Sequence, residues 1–201
     1  MNPFLRILEI LLLVVFPLLI FYLRSCWPEK EKNINVIILP LIWYLTYALI
    51  HEASHLLGVL TAGREISDYR LFTHFWEGSF GFAYVDVKGG LGLDSSSLLI
   101  LAMPYLLDVF SVIIGYYLMT RMKIFNSFWS GLIFLLLCVR PLYDLLDNYI
   151  GVLYSHSDFV MISQINGELI TYLFGIVSVG LTLAFLFIIL NRYKKFPQSR
   201  V

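Results

Sequence analysis

From Ile34 to Ala62 the chain reads INVIILPLIWYLTYALIHEASHLLGVLTA. The segment is long and apolar enough to cross a bilayer as one helix. It contains His51-Glu52-Ala53-Ser54-His55, an H-E-x-x-H sequence. On a helix, residues four apart share a face, so both imidazoles reach toward one point. Two histidines so placed ligate one zinc ion, and the glutamate beside the first is set to take a proton from water. Polar groups are costly in such a place: a charged residue at the centre of a spanning helix costs roughly 2.5–3.5 kcal/mol on an insertion scale. The segment therefore predicts a zinc site inside a membrane helix, with His51 and His55 as ligands and Glu52 as the catalytic base. The competing reading is a pair of partly buried histidines bonded to neighbouring carbonyls or to Glu52.

Composition agrees with a membrane setting. Of 201 residues, 59% are apolar, 16% aromatic and 14% charged, where a soluble domain has about half apolar and a quarter charged. Mean hydropathy is +0.81. A multi-pass integral membrane protein follows, folded as a single domain over residues 1–201. Fourteen basic and fourteen acidic residues cancel, so neither nucleic acid nor a polybasic lipid-binding surface is expected. Cys26 and Cys138 are far apart and each is alone, which argues against a structural disulfide.

The expected fold is an all-α polytopic membrane bundle of about five transmembrane helices, with a small interfacial β-hairpin between helices two and three. The first helix covers about 7–23; Ser25-Cys26-Trp27-Pro28 after it lacks the small-residue pattern of a signal-peptide cleavage site. Glu29-Lys30-Glu31-Lys32 reads as a solvated connection. The second helix, about 35–62, stops at Gly63. Residues 65–88 change character: Tyr69, Leu71, Phe80, Phe82 and Tyr84 partly alternate while Gly78 and Gly81 interrupt, which predicts the hairpin. Open strand edges are not tolerated facing lipid, so the hairpin must lie against helices or face water. Gly89-Gly90-Leu91-Gly92 is a hinge and not a nucleotide-binding loop, since its context and a following Lys-Ser/Thr are missing. Helices then cover about 96–119, with Pro104 and Asp108 inside, 128–154, and 169–190.

A catalytic zinc usually has three protein ligands and one open position, so a third ligand is needed. His74 falls in the hairpin and His156 at the end of the fourth helix. Carboxylates in Arg140-Pro141-Leu142-Tyr143-Asp144-Leu145-Leu146-Asp147-Asn148 are stronger candidates. Asp144 and Asp147 lie three apart, near one helix face, and Pro141 loosens the preceding turn and re-aims them. Either Asp144 or Asp147 can supply the third ligand. An Arg140–Asp144 ion pair neutralising buried charge is compatible with either. Asp158, past the helix, is an outer candidate for orienting a ligand.

The combination of H-E-x-x-H in one membrane helix, a following hairpin and an aspartate on a proline-marked later helix resembles the site-2 protease class of intramembrane zinc metalloproteases. The resemblance runs from about Leu45 to Asp158 and is that of a compact, divergent member without a PDZ domain. His51, Glu52 and His55 match the metal-binding motif, and Gly58 and Gly63 stand where small residues are frequent in the family. Ala102-Met103-Pro104-Tyr105 corresponds loosely to the family's small-Gly-Pro segment. The family's third ligand sits in an Asn-x-x-Pro…Leu-Asp-Gly sequence. Here the asparagine is absent and Leu146-Asp147-Asn148 replaces Leu-Asp-Gly. Pro141 stands three residues before Asp144, as a proline does in many members, so the resemblance implies Asp144 as first choice for the metal, with Asp147, favoured by local sequence, the runner-up.

The resemblance implies a Zn2+-dependent endopeptidase that cleaves membrane-protein or membrane-inserted peptide substrates within the lipid bilayer. It also implies that the hairpin, with Phe72, Phe75, Trp76, Phe80, Phe82 and Tyr84, offers an edge to an unwound substrate; an interfacial aromatic belt accounts for the same side chains. Orientation is divided. Counting Arg24, Lys30, Lys32, Arg121, Lys123 and the basic C-terminus on one side against Arg6, Arg64, Arg70 and Lys88 puts the C-terminus in the cytoplasm. That places the site nearer the outer face, whereas the resemblance places it nearer the cytosol. Four histidines are too few for a di-iron hydroxylase. A metal transporter, or a catalytically inactive relative that binds membrane-protein clients, are the alternatives.

Overall fold

The computed structural model of the chain describes residues 29–72, 83–121, 127–152 and 157–194. The expected first span, His74 with the hairpin tip, and His156 lie outside them. The described part is mostly helical: α1 (Glu29–Thr61), β1 (Ile66–Arg70), β2 (Tyr84–Val87), α2 (Ser95–Arg121) and α3 (Ser127–Phe134) come first. A π turn (Leu135–Val139) joins α3 to α4 (Arg140–Gly151), and α5 (Asp158–Asn166) and α6 (Glu168–Lys194) follow. Among the described residues, three helical stretches are long and apolar enough to cross a membrane: Ser95–Arg121, Phe128–Tyr149 and Glu168–Ile189.

α1, expected as a span, is not among these three, and two elements differ in extent from the sequence expectation. Glu29–Lys32 belongs to the first turn of α1; glutamate and lysine are good helix formers, and acidic residues suit a helix N-terminus. The expected fourth helix, 128–154, is interrupted by the π turn and ends at Gly151, after which the nine-residue α5 forms. Pro141 explains the interruption. It has no N–H to give, and the Arg140 N–H reaches back five residues to the Leu135 carbonyl. The next carbonyl in that pattern, Leu136, would need the N–H that proline lacks. Arg140 Nε donates to it instead, at 3.3 Å.

α1 ends as its sequence predicts. Gly63 takes φ +66°, Gly63 N–H donates to Leu60 O and Arg64 N–H to Val59 O, the pair of bonds that closes a helix on a left-handed glycine. Arg64 then reaches across to the start of α2, donating to Gly90 O at 2.8 Å and Ser96 Oγ at 3.1 Å. Asp94 caps α2 by accepting the Ser97 N–H at 2.7 Å. Between the two helices β1 and β2 pair antiparallel with Tyr69 opposite Val85 and Arg70 opposite Tyr84, and an irregularity falls between Ile66 and Asp68. Val87, at the base of the hairpin, packs with Val59 and Ile100.

The α1–α2 crossing is tight where it bears on function. A Cβ on Gly58 would stand 2.8 Å from the Ile100 Cα, so only glycine lets the two backbones approach so closely. On one side of this crossing Leu39, Trp43, Phe134, Leu135 and Leu142 form the largest apolar cluster. On the other, Leu101, Tyr105, Leu145, Phe159 and Ile162 seat α5 against α2 and α4. Gly175 of α6 faces Tyr149 and Phe159, where a Cβ would be 2.9 Å from the Tyr149 ring. Outward-facing residues such as Leu173, Leu181 and Phe187 are apolar and exposed, while Asp108, Arg140 and Asp144 are buried.

Candidate metal centre

His51 and His55 lie one helical turn apart on the α1 face that meets α2 and α4, with their rings edge to face at 4.8 Å. Each imidazole is fixed through Nδ1. His51 Nδ1 lies 2.8 Å from Asp144 Oδ2, and His55 Nδ1 lies 2.9 Å from the Ile100 carbonyl. A carbonyl only accepts, so His55 donates from Nδ1; facing a carboxylate, His51 does the same. Each ring thereby turns Nε2 toward the site, the orientation needed if that nitrogen is to hold a metal.

The Ile100 carbonyl is available for a physical reason. In an α-helix it would accept the N–H of the residue four later, which is Pro104, and proline has none. In an apolar interior an unpartnered carbonyl is costly. His55 satisfies it and is oriented by doing so. The competing sequence reading, histidines bonded to neighbouring carbonyls, thus describes one half of the arrangement: His55 bonds a carbonyl with Nδ1 and presents Nε2 to the site.

The two Nε2 atoms stand 3.2 Å apart, and a third ligand atom joins them from α5. Asp158 Oδ2 lies 3.1 Å from His55 Nε2 and 3.5 Å from His51 Nε2. His51, His55 and Asp158 are the group that could hold a metal ion among the described residues. The sequence reading gave the third corner to Asp144, and here the structure differs. Asp144 reaches the site but on the Nδ1 side of His51, behind the ring, where it orients the imidazole. Asp147, the runner-up, is on the same helix, half-buried, and is outside the converging group. Asp158, read from sequence as an outer residue, is the carboxylate that groups with the two Nε2 atoms.

Asp144 is itself held on every side. Arg140 Nη1 lies 3.7 Å from its Oδ2, and Asn148 Nδ2 donates to its Oδ1 at 3.1 Å and to its carbonyl at 3.1 Å. Arg140 Nη2 also donates to Asp108 Oδ1 from α2. The expected Arg140–Asp144 pair is therefore part of a three-residue network in which one guanidinium serves two carboxylates. Both carboxylates are sealed, Asp108 at 1% and Asp144 at 0% exposure. Tyr105 completes the surroundings: its hydroxyl donates to Asp158 Oδ2 at 2.7 Å. Glu52 is half-buried and within electrostatic reach of His51, His55 and Asp158.

Sequence reasoning did not single out Tyr105 or Asp108 as site residues. A polar residue inside a spanning helix is the signal that marks Asp108; nothing local marks Tyr105, whose part depends on the docking of α5. No protein-family model, curated protein or solved structure matches the chain, so the functional reading rests on the residues and their geometry.

Proposed function

We propose that this chain is an intramembrane zinc metalloprotease, a hydrolase that cuts membrane-protein or membrane-inserted peptide substrates, akin to the site-2 protease class it resembles. One observation carries the reading: His51 Nε2, His55 Nε2 and Asp158 Oδ2 converge while both Nδ1 atoms are already engaged as donors. With Nε2 unprotonated these are three acceptors facing one another, an arrangement that a cation among them relieves. Ligand atoms on a tetrahedral ion with bonds of about 2.0–2.1 Å stand about 3.3–3.4 Å apart, close to the 3.1, 3.2 and 3.5 Å found here. Two imidazoles and a carboxylate suit zinc better than calcium or magnesium, which prefer oxygen ligands.

Charge supports the same ion. One guanidinium, Arg140, stands against the carboxylates of Asp108, Asp144, Asp158 and Glu52, an acidic surplus that favours a cation. When bound, zinc supplies Lewis acidity, bringing the pKa of water toward about 7 and polarising a scissile carbonyl. Glu52 accepts the proton of the attacking water and delivers it to the leaving amine. Asp144 and the Ile100 carbonyl hold the two imidazoles by Nδ1 and fix the direction in which each Nε2 points.

A helical substrate hides its carbonyls in its own hydrogen bonds, and strand addition to the β1–β2 sheet is the means of unwinding it. Val87 packs the base of that sheet beside Val59, one turn beyond His55. The apolar outer surface and charged interior support a bilayer setting.

The test is Glu52→Gln beside wild type, each purified in detergent and reconstituted with a reporter transmembrane peptide. The proposal expects about one zinc per chain in both proteins, with cleavage reduced about 100-fold or more in the variant. Zinc flux that survives Glu52→Gln would move the reading to transport. Zinc without cleavage in wild type would leave a client-binding relative, and absence of zinc uptake would overturn the site itself.

A further inference from the structure

We propose that Tyr105 is a positioning residue for the metal centre: its hydroxyl holds Asp158, the third ligand, in place and so couples the docking of α5 to metal binding. The inference rests on the metal-site reading above. Asp158 is the first residue of a nine-residue helix, and its predecessor Ser157 is extended, at φ −159° and ψ 160°, with no side-chain capping bond. Local structure therefore does little to aim the Asp158 carboxylate. Three side chains from other elements meet it: His51, His55 and Tyr105. With both imidazoles committed to an ion, Tyr105 is the remaining donor of the three.

Tyr105 is built for that task. It is fully buried, and its ring is held on two sides, 4.6 Å from the Phe159 ring and 6.1 Å from the His51 ring. Phe159 follows Asp158 on α5, so the same tyrosine grips α5 through its ring and the ligand through its hydroxyl. The hydroxyl reaches Oδ2, the oxygen that faces both Nε2 atoms. Partners that orient a metal ligand in this way typically change metal affinity about 10–100-fold when removed.

The experiment is zinc and cobalt(II) titration of the full chain in detergent, for wild type, Tyr105→Phe, Asp158→Asn and the double variant. Tyr105→Phe keeps the ring and its contacts, so the metal-free protein should stay folded, its melting temperature lowered by no more than the loss of one hydrogen bond. Its zinc dissociation constant should rise about 10–100-fold, and its cobalt absorption bands should shift as the carboxylate loses its fixed direction. In the Asp158→Asn background, read at the higher metal concentrations that the His51–His55 pair alone requires, the same change should have no further effect, because the hydroxyl acts through Asp158. A tyrosine that merely filled space would not move the cobalt spectrum. Unchanged affinity and spectrum in Tyr105→Phe, with wild type binding both ions, would overturn this proposal and leave the metal site standing. An additive effect in the double variant would also overturn it. Absence of metal binding by wild type would overturn both.

Discussion

Arg140→Gln should be among the most damaging single substitutions in the chain. Its guanidinium donates to Asp108, lies 3.7 Å from Asp144 and caps the Leu136 carbonyl through Nε. At an effective dielectric constant of about 20, a unit charge pair 3.7 Å apart attracts by about 4–5 kcal/mol. That gross attraction offsets the desolvation of both partners. Removing one member exposes the remaining cost, and breaking a buried pair typically destabilises by about 3–5 kcal/mol. Asp108 and Asp144, both sealed from solvent, would be left without their cation. Against a total of about 5–15 kcal/mol for an ordinary domain, the loss is large, and it corresponds to roughly 6–20 °C in melting temperature for a chain of this size. The assay is thermal unfolding in detergent followed by far-UV circular dichroism. Adding Asp108→Asn to Arg140→Gln removes one charge of each sign and should restore much of the loss, since Asp144 keeps His51 and Asn148. A single variant that melts like wild type, or a double variant no better than the single, would refute the argument that buried charge balance governs this region.

Three further outcomes are expected. Asp158→Ala should abolish stoichiometric zinc, Asp144→Asn should weaken it about 10–100-fold and Asp147→Asn should leave it unchanged, as read by metal content after dialysis; zinc lost from the Asp147 variant alone would contradict the assigned corner. Asp94 is held at about 2, below its ordinary 3.8, by the Ser96 hydroxyl first and then by the Ser97 N–H. Its stabilising effect is therefore complete above pH 3.8 and is lost as pH falls toward 2; Asp94→Asn should remove that part of the acid dependence in melting curves. Pro104→Ala returns an N–H to the Ile100 carbonyl and so competes with His55 Nδ1; it should weaken zinc binding about 10–100-fold without lowering the metal-free melting temperature, and unaltered affinity would show that His55 needs no such anchor.

Most of what is local in this protein can be read from the chain. H-E-x-x-H places His51, Glu52 and His55 because i and i+4 share a helix face whatever the rest of the fold does. Gly63 ends α1 as a left-handed glycine should, and the mixed, partly alternating stretch after it does contain two paired strands. The helix around Asp144 was also legible, and so was its approach to the histidines. Which nitrogen of His51 it would meet was not, because that depends on how α4 is turned against α1. The π turn turns it, and its cause, Pro141, shows in sequence only as a loosened helix. Asp158 escaped for a different reason. Its carboxylate is brought to residues a hundred positions earlier by a short helix without strong periodicity, held through Tyr105 and Phe159. Such long-range placement leaves no trace in spacing.

The two prolines account for why the site takes this form in an apolar interior. In water a carbonyl stripped of its helical N–H turns to solvent; inside a bundle it must find a protein donor or remain a cost. Pro104 strips Ile100, and the donor is His55 Nδ1. Pro141, with the π turn, strips Leu136, and the donor is Arg140 Nε. Each defect thus seizes a side chain that the proposed metal centre needs in one orientation. The first fixes the tautomer of a ligand. The second fixes the guanidinium that balances Asp144 behind the other ligand. A regular α2 and a regular α3–α4 would have stronger backbones, yet His55 would be free to present either nitrogen and Arg140 free to swing between its two carboxylates. The irregular helices are therefore part of how His51 and His55 come to share one point, with Asp158 supplied from α5 to meet them.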